Sequence, residues 1–340
     1  MIPTAILLLV LFVITLTVAA YSTWGERKVA AFLQDRIGPN RAGPFGLLQP
    51  LADGAKMFMK EDFVPAGANK KLFVLGPAIA MTTALLTGVV IPWGGTLTIF
   101  DTTIDLQGTD PEIGILYVFA MVSIGVYGIM LGGWASNNKF AVLATIRAAS
   151  QMVSYELAMG LSIVALVMMT GTLSMSGIVE YQIINGWNIL YQPLGFIIFL
   201  TCAFAETNRA PFDMPECETE LIGGYHTEFS SMKLGFYLFA EYTNMFISSA
   251  VLATLYFGGY HVPGLAATGW DPNLITVLGA VAMFAKTFFF IFFFMWIRWT
   301  IPRFRFDQLM NLGWKGLIPL AILNILLTGG VMLATGKVQL

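Results

Sequence analysis

Eight apolar runs of roughly twenty residues, separated by polar stretches, constrain this chain more than any other feature. They are Ile2 to Tyr21, Leu72 to Trp93, Ile113 to Leu131, Tyr155 to Leu173, Ile189 to Ala205, Leu234 to Phe257, Leu274 to Ile297 and Leu317 to Thr335. A hydrocarbon core about 30 Å thick takes about 20 residues of helix. Lipid offers the backbone no hydrogen-bond partners, so a run of this kind folds as a helix. The expected fold is therefore an all-α polytopic membrane protein, a bundle of eight transmembrane helices. Composition agrees: 57% of the 340 residues are apolar and 11% charged, against roughly 25% charged in soluble chains. With 27 Phe and 8 Trp, disorder is excluded too. A net charge of -2 leaves no basic surplus for nucleic acid phosphates. The first run lacks a basic leader and an A-x-A cleavage site, so it reads as a retained span.

The basic residues orient the bundle. The stretch after the first run holds Arg27, Lys28, Arg36, Arg41, Lys56, Lys60, Lys70 and Lys71, and that after the third holds Lys139 and Arg147. Arg209 and Lys233 follow the fifth run, and Arg298, Arg303, Arg305 and Lys315 follow the seventh. The intervening segments Gly94 to Glu112, Ser174 to Asn188 and Gly258 to Asn273 contain no Lys or Arg. By the positive-inside rule the basic face is cytoplasmic and both termini lie outside. The cytoplasmic loops are then about 24–71, 132–154, 206–233 and 298–316, all within a single membrane domain spanning 1–340.

Two loops carry more than topology requires. In the first, Leu47, Leu51, Ala55, Phe58 and Met59 recur at helical spacing against Gln49, Asp53, Lys56 and Lys60. That pattern makes an amphipathic helix suited to the membrane interface, either covering the bundle or forming a lip over a lateral entrance. The third loop crowds Glu206, Asp213, Glu216, Glu218, Glu220, Glu228 and Glu241 around Arg209 and Lys233. A solvated acidic loop accounts for Glu216, Glu218 and Glu220. Glu206 closes the fifth span and Glu241 lies near two turns into the sixth, where an unpaired carboxylate is costly. Arg147 and Glu156 flank the start of the fourth span. Lys286 falls in the middle of the seventh, at a cost of roughly 2.5 to 3.5 kcal/mol, and Glu241 or Glu156 is its expected partner.

Other chemistry has no residues to stand on. Cys202 and Cys217 form no CxxC pair, so neither a zinc site nor an iron–sulfur cluster is expected within this chain. His226 and His261 have no metal-ligand companion, no Walker A or Rossmann fingerprint occurs, and no Ser has a convincing His partner.

The segments GERKVAAFLQDRIGPNRAGPFGLLQPLADGAKMF, TIRAASQMVSYE, AETNRAPFDMPECETEL, FAEYTN and IRWTIPRFRFDQLMNLGWK closely resemble the signatures of one family. It is the family of H subunits of NADH:quinone oxidoreductase, the membrane component of respiratory complex I nearest the peripheral arm. The resemblance covers essentially the whole chain. It implies a quinone chamber shared with peripheral-arm subunits, neighbouring small membrane subunits, and an acidic route into the membrane arm. Glu26, Arg27, Arg36, Phe45 and Lys56 would belong to the first loop near the quinone entrance. Arg209, Asp213, Glu216, Glu218 and Glu220 would form the loop under the chamber. Arg147, Glu156, Glu206, Glu228, Glu241 and Lys286 would line the charged route, while Arg298, Arg303 and Arg305 would brace the cytoplasmic face. In the family, FMN and the iron–sulfur clusters belong to partner subunits, with quinone as the substrate, and the location implied is a bacterial inner membrane.

The mechanism implied is lateral quinone access from lipid, reduction beside a partner's cluster, and a charge change passed to the pumping subunits through the carboxylates. Two other classes share parts of this pattern. A membrane-bound hydrogenase anchor has a similar helical core, and a free-standing cation/proton transporter could use Lys286 and the buried acids. A purely structural anchor does not account for the intramembrane charges.

Overall fold

The computed structural model describes residues 2–99, 102–215, 222–265 and 269–336. Its helices are α1 (Ile2–Leu33), α2 (Gln49–Met59), α3 (Lys70–Thr87), α4 (Gly114–Ala135), α5 (Lys139–Thr170), α6 (Met175–Asn185) and α7 (Asn188–Tyr191). There follow α8 (Pro193–Glu206), α9 (Ser231–Tyr256), α10 (Pro272–Thr300), α11 (Phe306–Asn311) and α12 (Ile318–Thr335), the last preceded by a π-helical turn at Leu312–Leu317.

Among the described residues seven helices are long and apolar enough to cross a membrane. The fifth run, Ile189 to Ala205, is divided into α7 and α8, and α8 alone has 14 residues. Pro193 accounts for the break. It has no N–H to donate and pushes the preceding residue off helical geometry, as Gln192 shows at φ -128°, ψ 52°.

Several helices outrun their apolar cores toward the basic face. α1 continues to Leu33, so Glu26 and Arg27 stand on a helix. α5 begins at Lys139 and carries Arg147, Gln151 and Glu156, leaving a connection from α4 of only 136–138 where hydropathy suggested a loop over 132–154. Asn138 caps α5 by accepting from the Phe140 N–H at 2.9 Å, which satisfies one of the orphan donors of a helix start. The other face carries a feature that hydropathy does not show. β1 (Thr96–Ile99) and β2 (Thr102–Asp105) form an antiparallel hairpin with Thr96 opposite Asp105. Their Thr-rich sequence suits an extended, β-branched pair.

α9 and α5 occupy the centre, with 67% and 50% of their most apolar stretch buried, whereas α1 and α12 form the periphery at 17% each. A large core gathers Trp93, Phe204, Phe246, Tyr256 and Phe294; a smaller one joins Phe73, Tyr225, Phe229 and Tyr237. α3 and α4 pack closely because glycine lets their backbones meet: a Cβ at Gly128 would stand 2.8 Å from the Ala80 nitrogen. Such contacts replace the hydrophobic effect as the packing force in lipid.

The amphipathic α2 forms as expected. None of its residues is buried, and Leu51, Phe58 and Met59 are 67%, 73% and 89% exposed. An apolar stripe this bare matches a helix lying at a bilayer surface.

Candidate functional site

The charged residues of the basic face converge on Glu26. Its carboxylate accepts from Arg209 at 2.5 Å through one oxygen and from Arg298 at 2.5 Å through the other. Glu26 and Arg209 are 4% and 3% exposed. Three helix ends build the cluster: α1 supplies Glu26, the turn after α8 supplies Arg209, and the last turn of α10 supplies Arg298. From α9, the Tyr242 ring lies 4.1 Å beneath the Arg209 guanidinium, a cation–π contact, and its hydroxyl is turned toward Glu26. Burial works against the Arg209 charge, but Glu26, Tyr242 and Glu241 hold its pKa above the ordinary arginine value.

The cluster opens on a cavity of about 450 Å³ lined by Arg27, Arg36, Gly38, Pro39 and Trp299 together with Glu26 and Arg298. Arg27 also reaches Asp53 at 2.7 Å, tying α1 to α2. The Gly-Pro-rich loop between them folds back on itself at Gly46, whose φ is +79° and where a Cβ would come within 2.3 Å of the Pro39 carbonyl oxygen. Only glycine fits there. Phe45 is 77% exposed at the outer side of this loop, with its carbonyl accepting from the Trp24 indole at 3.3 Å. Lys56 is exposed on α2. Of the five residues read as an entrance group, Glu26, Arg27 and Arg36 share the cavity, while Phe45 and Lys56 stand outside its lining.

The segment after α8 is buried from Glu206 to Pro215, which a polar stretch tolerates only when clamped. Gln151 on α5 is the clamp: its amide donates to the carbonyls of Ala205 and Phe212, each at 2.8 Å. The Tyr155 hydroxyl donates to Leu309 O at 2.9 Å, and Phe304 N to Pro211 O at 3.2 Å. Asp213 is 2% exposed and pairs with Arg303 at 2.8 Å. Glu216, Glu218 and Glu220, and Cys217 with them, lie outside the described residues.

A second set of carboxylates runs inward. Glu228 accepts from the Asn138 amide at 2.7 Å, and Glu241 from the Tyr225 hydroxyl at 3.0 Å. Glu241 and Glu206 line one cavity of about 30 Å³ with Tyr225, Asn244 and Ser248, room for one or two waters. Glu206 is 7% exposed, and its Oε2 has no hydrogen-bond partner among the described residues. Glu156 lies within electrostatic reach of Glu206 and accepts from Ser123 on α4. Arg147, at the basic end of α5, lies 5.9 Å from the Phe306 ring.

Lys286 departs from the expected pairing. It meets neither Glu241 nor Glu156; its ammonium donates to the carbonyls of Phe257, Gly259 and His261 at 2.8, 2.7 and 2.7 Å, with the Trp187 ring 5.2 Å away. These carbonyls belong to the end of α9 and the turn beyond it, where helix C-termini present unsatisfied oxygens and partial negative charge. Three donors meet three acceptors, so the cation needs no carboxylate. His261 stands beside it, its pKa lowered by burial and then by the Lys286 charge.

Sequence reasoning missed Gln151, Tyr242 and Ser123 as parts of the site. The only hint of Gln151 was an amide within the small-residue run AASQ, on what became a helix.

The NADH dehydrogenase family matches residues 5–329 of this chain. An H subunit of NADH-quinone oxidoreductase from Cytophaga hutchinsonii is 66% identical over 328 residues, 96% of each chain. The H subunit of Flavobacterium johnsoniae is 62% identical over 331 residues, 97% of this chain and 95% of that one. An H subunit of Geobacter metallireducens is 50% identical over 324 residues, covering 95% and 94%. Similarity of this degree along nearly the whole chain, on a helical membrane bundle with these charged elements, shows that it belongs to the NADH dehydrogenase family, among the membrane-embedded H subunits of NADH-quinone oxidoreductase.

Proposed function

We propose that this chain, acting as one membrane domain, forms the lateral quinone access channel and part of the quinone chamber. In this reading it also couples quinone reduction to proton translocation. The observation that carries it is the buried Glu26–Arg209–Arg298 cluster opening on a 450 Å³ cavity beside an apolar, lipid-suited α2. The cavity size suits a small-molecule head group. Arginine donors on its wall suit carbonyl oxygens, and the exposed Leu51, Phe58 and Met59 suit an isoprenoid tail leaving toward lipid.

Arg209 joins the two halves of the proposal, since it holds Glu26 on one side and feels Glu241 on the other. A charge created on the quinone biases Arg209 and Asp213, and the bias passes through Glu241 and Glu206 to Glu156. Glu228 and Arg147 supply charge at the basic end. Lys286, fully engaged by carbonyls, fastens the 257–261 turn and stands outside this route. FMN and iron–sulfur clusters belong to partner subunits in this reading. The basic face is cytoplasmic, the membrane is a bacterial inner membrane, and both termini face the periplasm.

The test uses the intact complex in its native membrane. Ala30 also lines the cavity, so Ala30→Trp fills it and should slow quinone reduction while leaving NADH oxidation by a soluble acceptor unchanged. Glu206→Gln should lower the proton yield per NADH. Unchanged quinone kinetics in the first variant would remove the channel, and unchanged proton yield in the second would remove the route.

A further inference from the structure

The turn that carries Arg209 leaves α8 through a residue whose backbone few side chains accept. Asn208 stands at φ +51°, in the left-handed region that favours Gly and, after it, Asn and Asp. It is held there from both sides, because the Gln151 amide takes the carbonyls of Ala205 and Phe212. Asn208 is 5% exposed. Its amide nitrogen lies 4.0 Å from the Met152 sulfur, and its Oδ1 has no hydrogen-bond partner among the described residues. A left-handed turn explains why Gly, Asn or Asp is needed here. It does not explain an amide oxygen withdrawn from water with no donor, which is costly.

Asn208 lines the small cavity of about 30 Å³ that Glu206 and Glu241 share. Glu206 Oε2 lines it too and is equally without a partner among the described residues. The two oxygens are therefore beyond hydrogen-bond reach of each other, in a space with room for one or two waters. The other side of Glu206 is different. A second cavity of about 30 Å³ that Glu206 also lines is walled largely by Val118, Met159, Phe199, Val251 and Leu255, which give a water few partners. The hydrated side of Glu206 is the one that Asn208 and Glu241 share.

We propose that Asn208 is a positioning residue that holds one water between Glu206 and Glu241, through which a proton passes from one carboxylate to the other. This relay rests on the carboxylate route proposed above. Asn208 Oδ1 accepts one hydrogen of the water and keeps it. The water's other hydrogen then faces the ionised carboxylate of the pair, and its oxygen accepts from the protonated one. In the exchange, the O–H bond of Glu206 breaks as the water oxygen takes that proton. An O–H bond of the water breaks as its second hydrogen passes to Glu241, and the water is left intact. The return step uses the same contacts, since Asn208 makes the same hydrogen bond in both states.

In the intact complex in its native membrane, Asn208→Gly keeps the left-handed turn and removes the amide. The proton yield per NADH should fall, with NADH oxidation by a soluble acceptor reporting that the complex is assembled. Asn208→Asp keeps the turn and an oxygen in the same place. Its yield should stand near wild type at acid pH, where the new carboxyl is neutral, and fall as the pH rises and that carboxyl ionises. Reading each value against wild type at the same pH cancels the titration of Glu156, Glu206 and Glu241, and the neighbouring Tyr225 and Tyr237 stay neutral below the ordinary tyrosine range. A residue needed only for the turn would show neither effect. Glu206→Gln separates the two readings. A yield lowered by Glu206→Gln but not by Asn208→Gly overturns the relay and leaves the route standing; an unchanged yield in both overturns the route and the relay with it. A map of the wild-type complex fine enough to show ordered waters serves even where a variant fails to assemble. It should hold a water within about 3.2 Å of both Asn208 Oδ1 and Glu206 Oε2, and a map with none there overturns the proposal.

Discussion

Arg209 and Lys286 are both cations withdrawn from water in one bundle, yet their partners are of opposite kinds. Arg209 is held by a carboxylate, Glu26, which it shares with Arg298. Lys286 is held by three backbone carbonyls. A carboxylate can gain or lose its charge, and neighbouring carboxylates feel the change; a carbonyl dipole has fixed charge. The first arrangement can pass on an electrostatic event and the second can only resist one. The same residue property, a positive charge withdrawn from water, meets a titratable partner at the basic face and fixed backbone dipoles at the other.

The largest effect expected follows from removing the shared carboxylate. Glu26→Ala leaves two buried or half-buried arginines without their partner, at about 3–5 kcal/mol. The assembled complex should fall in amount and in thermal midpoint, and Glu26→Gln, which keeps an acceptor, should recover part of the loss. Next comes Lys286→Met. Three charge-assisted hydrogen bonds are lost, partly offset by no longer placing a charge there, for a net of about 2 kcal/mol. Thermal unfolding should show that loss while quinone reduction and proton yield stay near wild type. A proton yield that collapses in a stable Lys286→Met complex would erase the distinction between the two cations.

His261 sharpens the comparison through pH. Its lowered pKa means that the unfolded chain takes up a proton more readily than the folded one, so stability should fall as pH drops below the ordinary value of 6.5, with the 257–261 turn loosening first. Hydrogen exchange of that turn between pH 7 and 5.5 measures this. In Lys286→Met the dependence should weaken, because one of its two causes has gone. The smallest effect is expected at the surface: Arg27→Ala breaks a pair with Asp53 whose side chains are 46% and 27% exposed, at about 0.2–1 kcal/mol. Salt should mimic that variant and leave the Glu26 cluster intact.

Much of this was legible in the chain itself. Hydropathy located the long membrane helices, and the amphipathic period located α2, because both are local properties that lipid and its surface read directly. Glu206 and Glu241 stood out as costly carboxylates for the same reason. The interruption at Gln192–Pro193 carried a signal, Pro193, within a run whose hydropathy alone suggested one continuous helix. The partner of Lys286 carried none, since a backbone carbonyl has no sequence identity and any residue can supply it. Nor did the length of the apolar runs show how far α1 and α5 continue beyond the bilayer.

By itself, then, the sequence determined that the chain crosses a membrane repeatedly, which face is basic, and which residues are too expensive to be incidental, since transfer free energy depends on residue type and spacing alone. The tertiary structure alone decided that Glu26, Arg209 and Arg298 share one carboxylate across 272 positions of chain, that Gln151 clamps the turn carrying Arg209, and that Lys286 rests on the end of α9. Pairing depends on where helix ends meet in space, and in a bundle that is fixed by packing between helices, not by the order of residues within any one of them.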